Sequence, residues 1–290
     1  MFFKANTYLN LFISFLFYIL SLKNIISHDC ISMDVAKEIF ENNSESYISK
    51  LNDNLTLEEA YCGQEKLNYL IKKKYNDPVG YKVGFTGKQL QKRFKIKAPA
   101  TGILYEHMFI DDNSTIEHDF AYRTFIEPDL LVIVKSSNIM NAKSELEILD
   151  NLISIHPFLE LPSLPFKKET NVTGNMLVAA NMLATKMIMG KGIEIKSSRE
   201  FLIKLANIKT IFSSQKEGII QEAMTSNLMG NPINVVFWLI KDFNKRGIKL
   251  KKGDRISLGS VGKLYPLSKN TSYSYKFSGF DDTIIRVNTK

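Results

Sequence analysis

Between Leu55 and Lys74 the apolar residues Leu57, Ala60, Tyr61, Leu67, Leu70 and Ile71 recur at helical spacing, with lysines and glutamates between them. That pattern predicts an amphipathic helix lying on a core. A second helix is predicted to start after Asn231, a good cap, with Pro232 in its first turn, and to stop at Gly247 after Arg246. Residues 142–153 also show helical periodicity. The short, continuous, β-branched run Leu130 to Lys135 (LLVIVK) reads instead as a buried strand. In VGYKVGFTG a short apolar strand pattern is set among Gly80, Gly84 and Gly87, where glycines mark bends or close backbone approach. Near the C-terminus Tyr273, Tyr275 and Phe277 alternate, Ser278-Gly279 turns, and Thr283 to Val287 returns, which predicts a hairpin. Polar IDDNSTIEHD is expected to be an exposed loop. Helices at the front and strands in the middle and at the back imply an α+β or mixed α/β domain.

The N-terminus departs from this pattern. Lys4 is followed by an apolar run from Leu9 to Leu22 that Lys23 closes, the charged and apolar regions of a secretory signal. A spanning helix wants about 20 apolar residues, so the run is short for one. Residues 1–27 are therefore expected to be a signal peptide and 28–290 a single domain, since no repeat, low-complexity tract or linker divides the rest. The expected location is exported, periplasmic or secreted. Ile25 makes a poor cleavage site, which leaves membrane anchoring by residues 9–22 as the alternative. Once the signal is cleaved, no stable membrane insertion is expected.

The net charge of +8 falls by two when Lys4 and Lys23 leave with the signal. No block of like charge is longer than Lys72-Lys73-Lys74 and no basic stripe is interleaved with aromatics, which argues against nucleic acid as a partner. Cys30 and Cys62 could form one bridge in an oxidising compartment, and two cysteines are too few for a cysteine-based zinc cluster. The four histidines lack HExxH spacing, and no G-x-S-x-G, G-x-G-x-x-G or P-loop pattern occurs. Hydride transfer and nucleotide chemistry are disfavoured, and the chemistry falls to oxygen and nitrogen ligands.

Candidate oxygens stand in Glu127-Pro128-Asp129, at the entrance to the predicted strand, where residues two apart point to the same side. Burying both unpaired is prohibitive, and a hard divalent cation would resolve the conflict. An exposed strand entrance facing water would resolve it equally well. Glu160 lies inside the apolar run HPFLELP, as a third ligand or as the partner of a lysine. Lys82, between glycines that allow close approach, could bind a carboxylate or move a proton; alternatively it is one more surface lysine.

Taken in order, several segments resemble the 2-keto-4-pentenoate hydratase branch of the fumarylacetoacetate hydrolase superfamily, from about Leu55 to the C-terminus. LTLEEAY with Gln64 resembles its opening helix, GYKVGFT its G-x-K-x-G-x-T signature, and PATGIL its P-x-x-G-x-L turn. IEPDLL is similar to its E-x-E/D metal motif and FLELP to the segment that supplies a third carboxylate. MGNPINVVFWL resembles its G-x-P-x-x-x-V-x-W-L helix, and KKGDRISLGS the strand that follows.

The resemblance implies an α+β fold, a mixed β-roll with peripheral helices, holding Mg²⁺ or Mn²⁺ through Glu127, Asp129 and Glu160 with Lys82 lining the pocket. It implies a lyase acting on a small 2-oxo acid, a hydratase of the 2-keto-4-pentenoate type first. A decarboxylase of the same branch and an exported non-catalytic binder of metal and 2-oxo acid are the alternatives. Asn171 and Thr173, in TNVTG, stand where the branch carries a substrate-contacting loop. Ala100 stands where hydratases of the branch commonly carry an acid, and Ser163 where an acid often follows the third ligand. A homo-oligomer is left open.

Overall fold

The computed structural model describes residues 30–278 and 283–290; the signal segment expected over residues 1–27 and the tip of the expected hairpin lie outside them. Residues 31–290 form one compact unit. Its helices are α1 (Met33–Phe40), α2 (Leu57–Tyr75), α3 (Lys88–Arg93), α4 (Glu145–Asp150), α5 (Gly174–Ala179), α6 (Arg199–Ala206) and α7 (Pro232–Arg246). Helix α2 begins on a reciprocal cap: the Glu59 N–H donates to Thr56 Oγ1 at 3.2 Å, and the Thr56 N–H donates to the Glu59 carboxylate at 2.7 Å. Helix α7 starts after Asn231, whose Oδ1 accepts from the Ile233 N–H at 3.0 Å, and ends at Gly247 in the left-handed region. Both helices fall where periodicity and caps predict them.

Two sheets carry the rest. The first contains β1 (Gly80–Gly84), β2 (Ala100–Leu104), β3 (Phe109–Ile110), β5 (Phe125–Val134), β6 (Leu152–Leu161), β7 (Lys186–Met189) and β11 (Arg255–Ser260), ordered β2-β1-β11-β5-β6-β7-β3. Short strands β8 (Ile193–Glu194) and β12 (Tyr265–Pro266) attach to β6 and β5. The second sheet is ordered β10-β9-β13-β14-β4. Its strands are β4 (Thr115–Ile116), β9 (Lys209–Ser214), β10 (Gly218–Met224), β13 (Thr271–Ser278) and β14 (Ile284–Thr289). Strands β13 and β14 form the expected antiparallel pair, and Tyr273, Tyr275 and Phe277 are its buried face.

One face of the first sheet, with Leu130, Val132 and Leu159, joins the main core with Phe212, Tyr273 and Phe277 of the second sheet and Val236, Ile240 and Phe243 of α7. The other face carries Leu131, Phe158 and Met187 against Leu67 and Ile71 of α2. The central strands are thus covered on both sides, which is why LLVIVK reads as an unbroken apolar run.

Three expectations change. Strand β5 starts at Phe125, so Glu127-Pro128-Asp129 lies within the strand instead of ahead of it. Residues 142–153 contract to the six-residue helix α4, because Leu152 already pairs with Val134 and tertiary pairing overrides local periodicity. Thr115–Ile116, inside the segment expected to be a loop, pairs with β14. No helix among the described residues is long and apolar enough to cross a membrane.

His156 on β6 is buried, with Nδ1 2.8 Å from the Gly190 carbonyl and Nε2 2.8 Å from Ser154 Oγ. Burial is the main cause holding its pKa below the usual 6.5. The unfolded chain therefore takes up a proton below about pH 6.5 that the folded chain resists, and stability is lost as the pH falls through that range. Thermal melts from about pH 7.5 to 5.5 should show this loss, and His156→Gln should flatten it.

Candidate metal and proton-transfer site

Strand register brings the predicted acids together. Glu127 is paired directly with Glu160, and Asp129, two residues along β5, shares their face. Ser257 on β11 pairs with Leu131, which is on that face too, and Lys82 on β1 pairs with Ser257. Four neighbouring strands therefore aim Lys82, Ser257, Asp129, Glu127 and Glu160 into one region.

Local sequence explains how the strands tolerate this. Pro128 has no N–H, but the amide and carbonyl of a strand residue point to the same neighbour, and its carbonyl faces β11. There the ladder is interrupted between Ser257 and Ser260, so the missing donor leaves no partner stranded. The Val261 N–H and Ser260 Oγ donate to the Pro128 carbonyl at 3.0 and 3.1 Å. Gly259 has a φ of 93° in the interruption, and a Cβ there would sit 2.8 Å from the Val83 carbonyl oxygen. Only glycine fits that approach.

Asp129, Glu160, Lys82 and Ser257 are buried, whereas Glu127 is partly exposed as a residue. Ser257 Oγ lies 2.7 Å from Asp129 Oδ2 and 2.9 Å from Glu160 Oε1, bridging the two. Lys82 Nζ forms a short ion pair with Glu160 Oε2, and the Leu130 N–H donates to Asp129 Oδ1. Burial, and then the charge of Glu160, pushes the Glu127 pKa up to about 7 against the pull of Lys82. Asp129 is raised well above the usual carboxylate range, again by burial first and Glu160 second. For Lys82 burial opposes the ammonium, but the charges of Glu160 and Glu127 and the hydrogen bond to Glu160 outweigh it, so its pKa rises.

Three carboxylates thus face one ammonium where water is scarce. One divalent cation would complete the neutralisation, and an all-carboxylate oxygen set suits a hard ion such as Mg²⁺. In the described conformation the oxygens are turned onto Ser257, Lys82 and backbone donors, and no group of three His, Cys, Asp or Glu side chains among the described residues is set around a common centre. The donor chemistry and charge balance fit a metal; binding one would require these side chains to exchange partners.

The other predicted residues are placed elsewhere. Thr173 caps α5, accepting from the Met176 N–H at 3.4 Å, and Asn171 is exposed, its Nδ2 donating to Asp53 at 3.0 Å. Their hydrogen bonds tie this loop to Asp53 and to α5, not to the acid cluster. Ala100 is fully buried opposite Gly84, and Ser163 Oγ donates to the Tyr122 carbonyl. Residue-level reading missed Ser257 and Ser260, whose signal was polar positions inside the otherwise apolar RISLGS. It also missed Asn181, whose side-chain amide clamps both backbone groups of Ile103 at 2.7 and 2.8 Å.

The fold matches that of 4-oxalocrotonate decarboxylase from Pseudomonas putida G7, solved with magnesium and adipate. The TM-score is 0.78 at 16% identity, covering 89% of this chain and 97% of that one. No family model matches the chain. Curated relatives include a 2-keto-4-pentenoate hydratase of Paraburkholderia xenovorans, 19% identical over 206 residues, 69% of this chain and 72% of that protein. Another is the 2-oxo-hept-4-ene-1,7-dioate hydratase of Escherichia coli, 23% identical over 234 residues, 76% of this chain and 82% of that protein. The first of these carries the name of the branch that the sequence motifs resemble, both are hydratases, and together they bear out that resemblance. They also bear out the enzyme class expected of the chain, a hydro-lyase.

Ser257→Ala should remove the hydroxyl set between Asp129 and Glu160, leave a buried carboxylate oxygen short of a partner and cost about 1–3 kcal/mol of stability. Urea denaturation with chelator present should report the loss, and Ser257→Thr, which keeps the hydroxyl, should recover part of it.

Proposed function

We propose that the chain is a divalent-metal-dependent lyase acting on a small 2-oxo or 2-hydroxydienoic acid, with hydration of the 2-keto-4-pentenoate type as its reaction. The observation that carries the reading is the convergence of Glu127, Asp129 and Glu160 beside Lys82 on one sheet face, three acids with one compensating cation. Glu127, Asp129 and Glu160 would hold Mg²⁺ or Mn²⁺. When bound, such an ion supplies Lewis-acid polarisation of the 2-oxo group.

The chain's own groups supply the rest. Lys82 presents an ammonium on a strand next to the acids, held charged by Glu160 and Glu127, so it can orient the substrate carboxylate or pass a proton from Nζ to the dienol carbon. Protonation at the terminal dienol carbon, with the 2-hydroxyl proton lost as the oxo group forms, gives the conjugated ketone, and water then adds across its double bond, hydroxyl to the carbon remote from the oxo group and proton to the carbon beside it. Ser257 fixes the orientation of Asp129 and Glu160. The covered sheet face keeps bulk water from Lys82 and from Asp129.

A second reading rests on Ala100, where no carboxylate stands to accept the proton that hydration must return. On that reading the chain binds metal and a 2-oxo acid without turning it over. Both cysteines are disulfide-bonded, which supports an oxidising, exported location, with residues 1–27 as the signal.

The purified chain with Mg²⁺ or Mn²⁺ is expected to consume 2-hydroxypenta-2,4-dienoate, seen as loss of dienol absorbance. Lys82→Ala should lower kcat by about 10²–10⁴ with metal affinity retained. Glu127→Gln and Glu160→Gln should each abolish metal binding in calorimetric titration; normal affinity in both would remove the ligand assignment. Metal binding with no turnover of a panel of 2-oxo acids would favour the second reading, and a gain of rate in Ala100→Asp would locate the missing proton acceptor.

A further inference from the structure

A cavity of about 320 Å³ opens between the end of α1, helix α2 and the β3–β7 edge of the first sheet. That volume lies at the small end of ligand pockets, roughly 300–1,000 Å³. None of Lys82, Glu127, Asp129, Glu160 or Ser257 lines it. Its wall combines apolar Ile39, Leu67, Ile71, Met108 and Leu183 with polar Asn42, Ser163 and Thr185, and no acidic residue contributes.

Lys186 and His107 are among its lining residues. Parallel pairing of Phe109 with Met187 sets His107 and Lys186, two and one residues before the paired positions, at one end of the sheet edge. The His107 ring stacks on Tyr75 with centroids 3.7 Å apart, and Lys74 Nζ lies 5.0 Å from the centre of the same Tyr75 ring. Lys186 Nζ is 5.4 Å from the centre of the Phe120 ring. Among the described residues neither Lys74 nor Lys186 forms an ion pair with a carboxylate. Partial burial first, then the charges of Lys186 and Lys74, hold the His107 pKa below its usual value, and no carboxylate lines the wall to counter the lysine charge.

One wall of the cavity is a turn in an uncommon conformation. Asn181, Met182 and Leu183 have φ of 53°, 51° and 59°, three successive non-glycine residues in the left-handed region. Asn181 and Leu183 face the cavity, while Met182 packs where Cβ atoms on Gly84 and Gly102 would lie, beside the Lys82 side chain.

We infer that this cavity is a second binding site, for a small apolar or aromatic carboxylate whose hydrocarbon part fills the wall and whose charge meets Lys186 and His107. The site does not depend on the metal-lyase reading, since it shares no residue with the acid cluster.

Calorimetric titration of benzoate into the chelator-treated full chain tests it, with benzamide as the neutral probe of the same shape. Saturable benzoate binding is expected, with benzamide and Lys186→Met each about tenfold weaker, the scale of one charge-assisted hydrogen bond. Ala184→Phe, which fills the cavity, should remove benzoate binding, and Glu127→Gln should leave it unchanged. Equal affinity for benzoate and benzamide, unaltered binding in Lys186→Met, or no saturable binding would overturn the site. Loss in Glu127→Gln would overturn it as well, by placing benzoate at the acid cluster. Loss of metal binding in Glu127→Gln with benzoate binding intact would leave this inference standing whatever becomes of the lyase reading.

Discussion

Three carboxylates and one ammonium share the buried side of a sheet, and the rest of the molecule is arranged around the cost of keeping them there. Isolated buried carboxylates are so unfavourable that they take up protons or find partners. Glu127 and Asp129 show the first response in their raised pKa values, and Glu160 shows the second in its ion pair with Lys82 and its bond from Ser257. A single ammonium cannot neutralise three acids. The remaining imbalance is the physical basis for proposing a cation at the cluster.

The strands that carry these groups are held in place by features with no polar chemistry of their own. Gly80 lets β1 lie against β11, since a Cβ there would come within 1.9 Å of the Arg255 carbonyl oxygen. Gly259 and the interrupted ladder let Ser257 and Ser260 serve the acid-bearing strand, and the same interruption accommodates Pro128. Helix α2 and the apolar face of Leu131, Phe158 and Met187 then exclude water from one side, and the second sheet with α7 from the other. Because interiors are close-packed, the polar cluster inherits the rigidity of this frame.

Lys186 and His107 line the cavity that Asn181 and Leu183 also line, and Met182 of the same turn packs against Gly84 and Gly102 beside Lys82. The strained backbone is over-determined by the Asn181 clamp on Ile103 and by the glycines at 84 and 102, which is the circumstance in which left-handed non-glycine residues persist.

Much was legible in the amino-acid order alone. Thr56 and Glu59, Asn231 and Gly247 fix helix ends through bonds spanning only a few residues, so α2 and α7 could be read locally. The alternation of Tyr273, Tyr275 and Phe277 was enough for the hairpin, and the order of short motifs was enough for the resemblance and for Lys82, Glu127, Asp129 and Glu160 as candidates. Tertiary structure decided what those candidates share. That Glu127 lies opposite Glu160, that Lys82 lies beside Ser257, that Thr173 became a helix cap, and that residues 142–153 gave way to a strand are all consequences of strand register. Caps and periodicity are written in neighbours along the chain, whereas register is set by which faces can be buried together, and that depends on residues as far apart as Asn113 and Asn288.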